Sequence, residues 1–163
     1  MNPQVILVDH NDNAIGAIDR SEITSVDFFR VAALWLTDQY GNILIAQRKL
    51  DKLNDPGKWG PAVAGTIEVG ETYESNIYKE AEEELGLIGL DFHPGPIQLV
   101  EHTRSFHCHW FTSVADQEYP FKLQPEEVEK VAWISPEDLH YEITNHPEKY
   151  IHSMYESIRL FGI

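Results

Sequence analysis

The sequence predicts a mixed α/β fold, and three observations carry that expectation. Short apolar runs bounded by Gly, Asn and Asp fill residues 5–66 and return at 97–134, which is strand patterning. Stretches with capping residues and helical apolar spacing lie at 72–85 and from 135 onward. The chain is 163 residues long, which suits one domain able to close a core, and no repeat, low-complexity tract or linker divides it.

Residues 5–19 (VILVDHNDNAIGAID) predict two short strands around a polar Asn-Asp-Asn turn, a strand extension of about residues 1–26 ahead of the main fold. Phe28 to Leu36 is nearly all apolar, so it predicts a strand buried on both faces. Asp38 to Gly41 makes a turn, and Asn42 to Gln47 forms the second arm of a hairpin. A polar loop at 48–58 then carries Arg48, Lys49, Lys52 and Lys58, and Trp59 to Ala64 returns to strand character. Thr72 to Leu85 predicts an amphipathic helix, with Thr72 as its N-cap and Gly86 as its stop. Strands are expected at 97–104, 106–115 and 131–134, with a loop rich in Pro and Glu at 119–129. Ser135 and Pro136 start a short helix, and the last nineteen or so residues predict a closing helix with Tyr150, Ile151, Met154, Tyr155, Ile158 and Leu160 on its apolar side.

Acids outnumber Lys and Arg by 27 to 12, a formal net charge of −15 that repels duplex nucleic acid and anionic membrane surfaces while favouring divalent cations. A small phosphorylated substrate arriving with its own metal is compatible with that field. The single cysteine, Cys108, excludes a disulfide framework and a cysteine-based zinc ribbon. The N-terminus has no basic stretch followed by an apolar run, and no apolar run approaches ~18 residues, so a cytoplasmic protein is expected. A homodimer is compatible with the chain.

Residues 65–87, GTIEVGETYESNIYKEAEEELGL, carry the chemistry. With Glu80 at zero on a helical wheel of about 100° per residue, Glu84 falls near +40° and Glu83 near −60°. Ile77, Tyr78, Ala81 and Leu85 occupy the adjoining arc, so they pack on the sheet while three acids line its edge. Glu82 points away. Like charges so placed repel, and carboxylates at i and i+4 reach one oxygen-seeking ion; magnesium is such an ion. Backbone carbonyls near Ala64–Gly65 would add a ligand, and Lys79 lies close enough to orient Glu83.

Gly65, Glu71, then Lys79-Glu80-Ala81-x-Glu83-Glu84-x-Gly86-Leu87 resembles the Nudix box, G-x5-E-x7-R-E-U-x-E-E-x-G-U. Lys79 replaces the preferred Arg and Ala81 is a small choice for the aliphatic position. The resemblance implies a Nudix α/β/α sandwich with a mixed curved sheet, spanning 1–163 with its box at 65–87. It further implies hydrolysis of a diphosphate linkage in a small nucleoside or other organic diphosphate, by water that Mg2+, or alternatively Mn2+, activates. Carried over by position, Glu80, Glu84 and Glu83 are metal ligands with the Gly65 carbonyl. Glu83 or a loop acid, Glu127 with Glu126 beside it, is the base. Lys79 and Glu71 brace the loop and helix, and Arg48 and Arg104 are expected to bind substrate.

The opening residues, the 28–48 hairpin and DPGKWGPAVAGTIEVGE resemble the branch related to isopentenyl-diphosphate isomerase. That enzyme needs a cysteine followed by Gly-His where this chain has Val63-Ala64-Gly65-Thr66, so the proton donors of isomerisation are missing. A non-catalytic diphosphate-binding domain is the other alternative, and its mark would be loss of a box glutamate; none is lost. His102, His107, Cys108 and His109 suggest zinc at first sight, but on a strand Cys108 faces away from His107 and His109. Trp59, Trp110 and Trp133 are expected in the core.

Overall fold

A computed structural model describes residues 2–163. The chain runs β1 (Gln4–Val8), β2 (Ala14–Asp19), β3 (Phe28–Thr37), β4 (Ile43–Arg48), β5 (Trp59–Pro61), β6 (Val63–Thr66), α1 (Tyr73–Leu85), β7 (His93–Glu101), β8 (Ser105–Val114), β9 (Val128–Ile134), α2 (Pro136–Asn145) and α3 (Ser157–Phe161). All nine strands belong to one mixed sheet.

β3 is its spine. It pairs in parallel with β8 over ten residues, from Phe28↔Ser105 to Thr37↔Val114, and antiparallel with β6 from Val31↔Thr66 to Leu34↔Val63. Its hairpin partner β4 pairs with it only at Thr37↔Ile43, then diverges to join β5 and β9. The sheet therefore splays between β6 and the β4–β5 pair. A narrow pocket occupies the splay, lined by Arg48, Ala64, Glu84, Glu127 and Ile151 among others.

Side chains alternate across the pleat, which explains why β3 lacks polar spacing. Ala32, Leu34 and Leu36 pack with Ile67, Ile77, Ala81, Leu85 and Phe111 beneath α1. Ala33 and Trp35 pack on the other face with Cys108, Trp110, Leu139, Ile143, Tyr150 and Met154. Both faces are covered, as the sandwich requires.

Three expectations need correction. β7 starts at His93, because its register slips between Pro94 and Ile97 and an edge strand tolerates the missing proline N–H groups there; it ends at Glu101, leaving residues 102–104 as the turn into β8. β9 begins at Val128, three residues early. The closing helix is broken: residues 147–149 and 152–156 are 3-10 turns and only Ser157–Phe161 is α-helical. Tyr150 is extended, bridging Trp59 in parallel, and Ile151 N–H donates to the Trp59 carbonyl at 2.9 Å. Burying Tyr150 and Met154 against the sheet outweighs continuous helix there, while Tyr155 lies at the surface. The second helical layer is carried mainly by α2.

Candidate functional site

α1 is fixed at both ends. Thr72 Oγ1 accepts from Ser75 N–H at 3.0 Å, and Ser75 Oγ accepts from Thr72 N–H at 2.9 Å, a reciprocal cap worth roughly 1 kcal/mol. At the other end Gly86 adopts φ 67°, the left-handed conformation that glycine takes without strain, and Leu87 N–H returns to the Ala81 carbonyl at 3.1 Å. The helix lies close on β6. A Cβ at Gly65 would stand 2.5 Å from both Asn76 Oδ1 and Glu80 Cγ. Glycine at 65 is thus a packing necessity that sets where Glu80 can stand.

Glu71 occupies the centre of the loop before α1. Its Oε1 accepts from Glu68 N–H at 2.8 Å and Asn76 Nδ2 at 3.2 Å, and its Oε2 meets Lys79 Nζ at 2.6 Å. Burial raises the Glu71 carboxyl, but these donors outweigh it and hold the group below its ordinary range. Lys79 also reaches Glu80 Oε1 at 3.5 Å, and among the described residues it pairs with these two acids and not with Glu83. Lys79 therefore orients Glu80, where Glu83 was expected. Asn76, fully buried, was missed in the sequence because an amide beside Ile77 resembles any helix-surface residue. Its Nδ2 ties the helix to the Thr66 carbonyl at 3.2 Å, while Oδ1 has no hydrogen-bond partner.

The box acids differ in environment. Glu84 reaches into the splay, and burial, the Glu80 charge and the Glu127 charge push its carboxyl up to about 8. Burial likewise raises Glu80, with Lys79 opposing and Glu83 adding to the rise. Glu83 and Glu82 are exposed. Glu127 lines the pocket with Glu84 and pairs with Lys52 at 2.5 Å, while Glu126 is exposed. Glu84 thus registers the charges of both Glu80 and Glu127, and Glu83, though exposed, bears on Glu80.

Among the described residues, no three or more His, Cys, Asp or Glu side chains already form a group that could hold a metal ion. The donor set nevertheless fits a hard cation. Its members are carboxylates whose charge is unfavourable without one, around the cradle that a Cβ at 65 would fill. The register changes the backbone donor. Ile67 N–H donates to the Arg30 carbonyl at 2.9 Å, so alternation makes Gly65↔Ala32 a hydrogen-bonded pair and commits the Gly65 carbonyl to the ladder. The Ala64 carbonyl faces the open edge of β6, where Ala64 lines the pocket with Glu84.

Arg48 ends β4 inside the same pocket, its Nε donating to the Asn54 carbonyl at 3.0 Å. Arg104 lies beyond it, over the Phe29 ring at 5.9 Å, in a cavity of about 630 Å3 that also meets Asn54 and Ile151. Burial lowers the Arg104 guanidinium, and the charges of Arg20 and Arg48 lower it further. His102 stacks on His152 at 3.9 Å along this cavity, away from His107 and His109. His109 instead stacks on Tyr73 at 3.5 Å beside Asp12, and Cys108 is buried on the opposite face. The zinc grouping is dispersed, and Trp110 is a core residue bonded to Gln98.

A sheet between helical layers, with acids on a helix edge at its splayed margin, defines an α/β/α sandwich whose acids line a cleft. Residues 27–156 match the NUDIX domain model. The chain is 32% identical over 137 residues to an uncharacterized Nudix hydrolase of Yersinia pestis, covering 83% of this chain and 74% of that protein. It is 29% identical over 153 residues to an isopentenyl-diphosphate Delta-isomerase of Cutibacterium acnes, covering 83% and 75%. A crystal structure from Deinococcus radiodurans superposes with a TM-score of 0.82 at 24% identity, covering 96% of this chain and 97% of that one. A MutT protein from Methanosarcina mazei gives 0.70 at 16%, covering 83% and 93%. The chain belongs to the Nudix family, and it is a Nudix hydrolase. Among the described residues, no helix is long and apolar enough to cross a membrane.

Proposed function

We propose that the protein hydrolyses the diphosphate linkage of a small organic diphosphate with the help of Mg2+, or alternatively Mn2+. The observation that carries this is Glu84: a half-buried residue lining the splay with Arg48, its carboxyl raised to about 8 by desolvation, Glu80 and Glu127. A protein that keeps such a group where either sign of charge is close at hand is prepared for a cation and an anion together.

Glu80 and Glu84 would hold the ion with the Ala64 carbonyl, leaving remaining positions to water and phosphate oxygens. When bound, the ion would neutralise charge on the diphosphate and acidify water. Arg48 and Arg104 bind phosphate oxygens, which suits the planar guanidinium fork. Glu127 is the better-placed base, because it lines the pocket while Glu83 is exposed. Lys79 positions Glu80 through Glu71 and does not touch substrate. The organic part of the substrate has room in the cavity beside Arg104.

Isomerase relatives make the alternative explicit, yet β6 presents Val63 and Ala64 where a thiol would be needed, and neither side chain moves a proton. Phosphate release from a panel of nucleoside, sugar and prenyl diphosphates, with magnesium or with a chelator, tests the proposal. Activity that needs the cation and disappears in Glu80→Gln supports it. Release unchanged in that variant would sink it, as would isomerised prenyl diphosphate in place of released phosphate.

A further inference from the structure

Among the described residues, Lys49, Lys52, Lys58, Lys79 and Lys149 all have carboxylate partners, as do Arg30 and Arg159. Arg20, Arg48 and Arg104 appear in none of those pairs, nor do Lys122 and Lys130, although the chain carries 27 acids.

Arg20 comes from the N-terminal hairpin, ahead of the segment that matches the family, which starts at residue 27. The hairpin is tied to the box loop: Ile6 N–H donates to the Ile67 carbonyl at 3.4 Å, and Val69 N–H to the Gln4 carbonyl at 2.9 Å. Asp19 then caps the 3-10 turn at residues 20–22, accepting from Ser21 N–H at 2.9 Å, and Arg20 N–H donates to the Pro3 carbonyl at 3.3 Å. From this turn Arg20 Nη2 reaches Thr66 Oγ1 at 3.4 Å. Thr66 and Ala64 sit opposite Val31 and Ala33 in the antiparallel register, so their side chains share one face of β6, opposite to the face on which Gly65 meets α1. Phe29, under the Arg104 guanidinium, belongs to that same face of β3.

We infer that Arg20 is a substrate-binding residue: with Arg48 and Arg104 it forms a three-guanidinium anion site on this face of β6, which takes the phosphate groups of the diphosphate. This rests on the diphosphate-hydrolase proposal above. The carboxylates reach the substrate from the α1 side of the open β6 edge and the arginines from the other. The guanidinium of Arg104 registers the charges of Arg20 and Arg48, with Asp55 opposing, so an anion entering beside Arg104 meets more than one cation. The long Thr66 contact leaves the Arg20 charge unsatisfied.

The test combines steady-state kinetics on the best panel substrate with titration of methylenediphosphonate, a non-hydrolysable diphosphate lacking any organic group, in chelator. Arg20→Gln and Arg20→Ala should raise both KM and the methylenediphosphonate Kd about tenfold, or ~1.4 kcal/mol, with kcat within about twofold. Arg20→Lys should recover part of the loss, and Thr66→Val, which removes only the protein partner, should leave both constants within about twofold. Unchanged constants in both Arg20→Gln and Arg20→Ala overturn the inference. So do equal shifts in Arg20→Gln and Thr66→Val with a matching fall in melting temperature, since Arg20 would then merely brace the strand. Diphosphonate binding that depends on Arg20 in a protein without hydrolysis would overturn the hydrolase proposal alone. Hydrolysis indifferent to Arg20 would overturn this inference alone.

Discussion

Glu84→Gln isolates what the metal-free protein pays for its site. The folded Glu84 carboxyl is raised from 4.5 to about 8, with burial the largest cause, Glu80 and Glu127 next, and Lys52 and Arg48 pulling partly back. Because the folded value lies above the unfolded one, the native state holds this proton more tightly. That stabilisation is complete below the unfolded value and is lost as pH rises through about 8. The gap of three to four units corresponds to an upper bound on the order of 5 kcal/mol, and water entry with side-chain relaxation should reduce it to roughly 1–3 kcal/mol. Glutamine keeps the shape and removes the charge. Urea unfolding in chelator should show wild type losing stability relative to Glu84→Gln between pH 5 and pH 8.5, by about 1–3 kcal/mol. Adding magnesium at the upper pH should raise the melting temperature of wild type and scarcely that of the variant. Parallel pH curves would refute the reasoning, and so would equal magnesium stabilisation of both proteins.

Three further outcomes follow from the packing. Gly65→Ala places a Cβ 2.5 Å from Asn76 Oδ1 and Glu80 Cγ, so thermal melts should show a loss of roughly 1–3 kcal/mol, with phosphate release falling more than tenfold as Glu80 is displaced. Lys79→Met removes the shared partner of Glu71 and Glu80; because Lys79 is partly exposed, stability should fall by under ~1 kcal/mol while the magnesium concentration for half-maximal activity rises, and Lys79→Arg should restore it. Asp12 accepts from Arg30 Nε at 2.7 Å and from the Tyr73 hydroxyl at 2.9 Å, so Asp12→Ala should cost about 2–3 kcal/mol in urea unfolding, against about 1 kcal/mol for Tyr73→Phe. Their double variant should lose less than the sum, because Tyr73 has no acceptor left once Asp12 is gone.

The elements that could be read from the sequence are those governed by local chemistry. Thr72 and Gly86 bracket α1 because a cap hydroxyl and a left-handed glycine act on their own neighbours. The unbroken apolar run of β3 announced burial on both faces, and alternate residues do enter two cores. The wheel placed Glu82 away from the sheet and grouped Glu83 with Glu80, on which it does bear, but angle alone cannot tell that Glu84 is the one that meets the wall of a pocket. That wall comes from β4, β5 and β9, whose divergence from β3 is a tertiary event. The Lys79–Glu71 brace that the box resemblance implied is present at 2.6 Å, whereas helical spacing pointed Lys79 at Glu83 and it meets Glu80 at 3.5 Å. The C-terminal helix was expected from apolar spacing, which does not reveal that Tyr150 bridges Trp59. The choice between the Ala64 and Gly65 carbonyls needs strand register, and Arg20 needs the fold of a hairpin forty-six residues from Thr66.

The separation of charge in this cleft sharpens what the acidic helix is for. Were Glu80 and Glu84 only surface acids, the nearest basic groups would pair with them, as Lys49 pairs with Glu129 and Lys149 with Glu142. Lys79 does reach Glu80, at 3.5 Å, but its closer contact at 2.6 Å is to Glu71. Among the described residues Glu84 makes no ion pair, although Arg48 lines the same pocket and its Nε is spent on a backbone carbonyl. Pairing Arg48 with Glu84 would lower the carboxyl further and relieve Arg104 at once, yet the two form no ion pair. A ligand carrying both signs, a diphosphate with its cation, relieves the two together. Arg48→Glu should therefore push Glu84 further up and abolish diphosphonate binding. Arg48→Gln should remove anion affinity while leaving magnesium stabilisation of the fold nearly intact, and loss of both in Arg48→Gln would mean the arginine serves the carboxylates and not the anion.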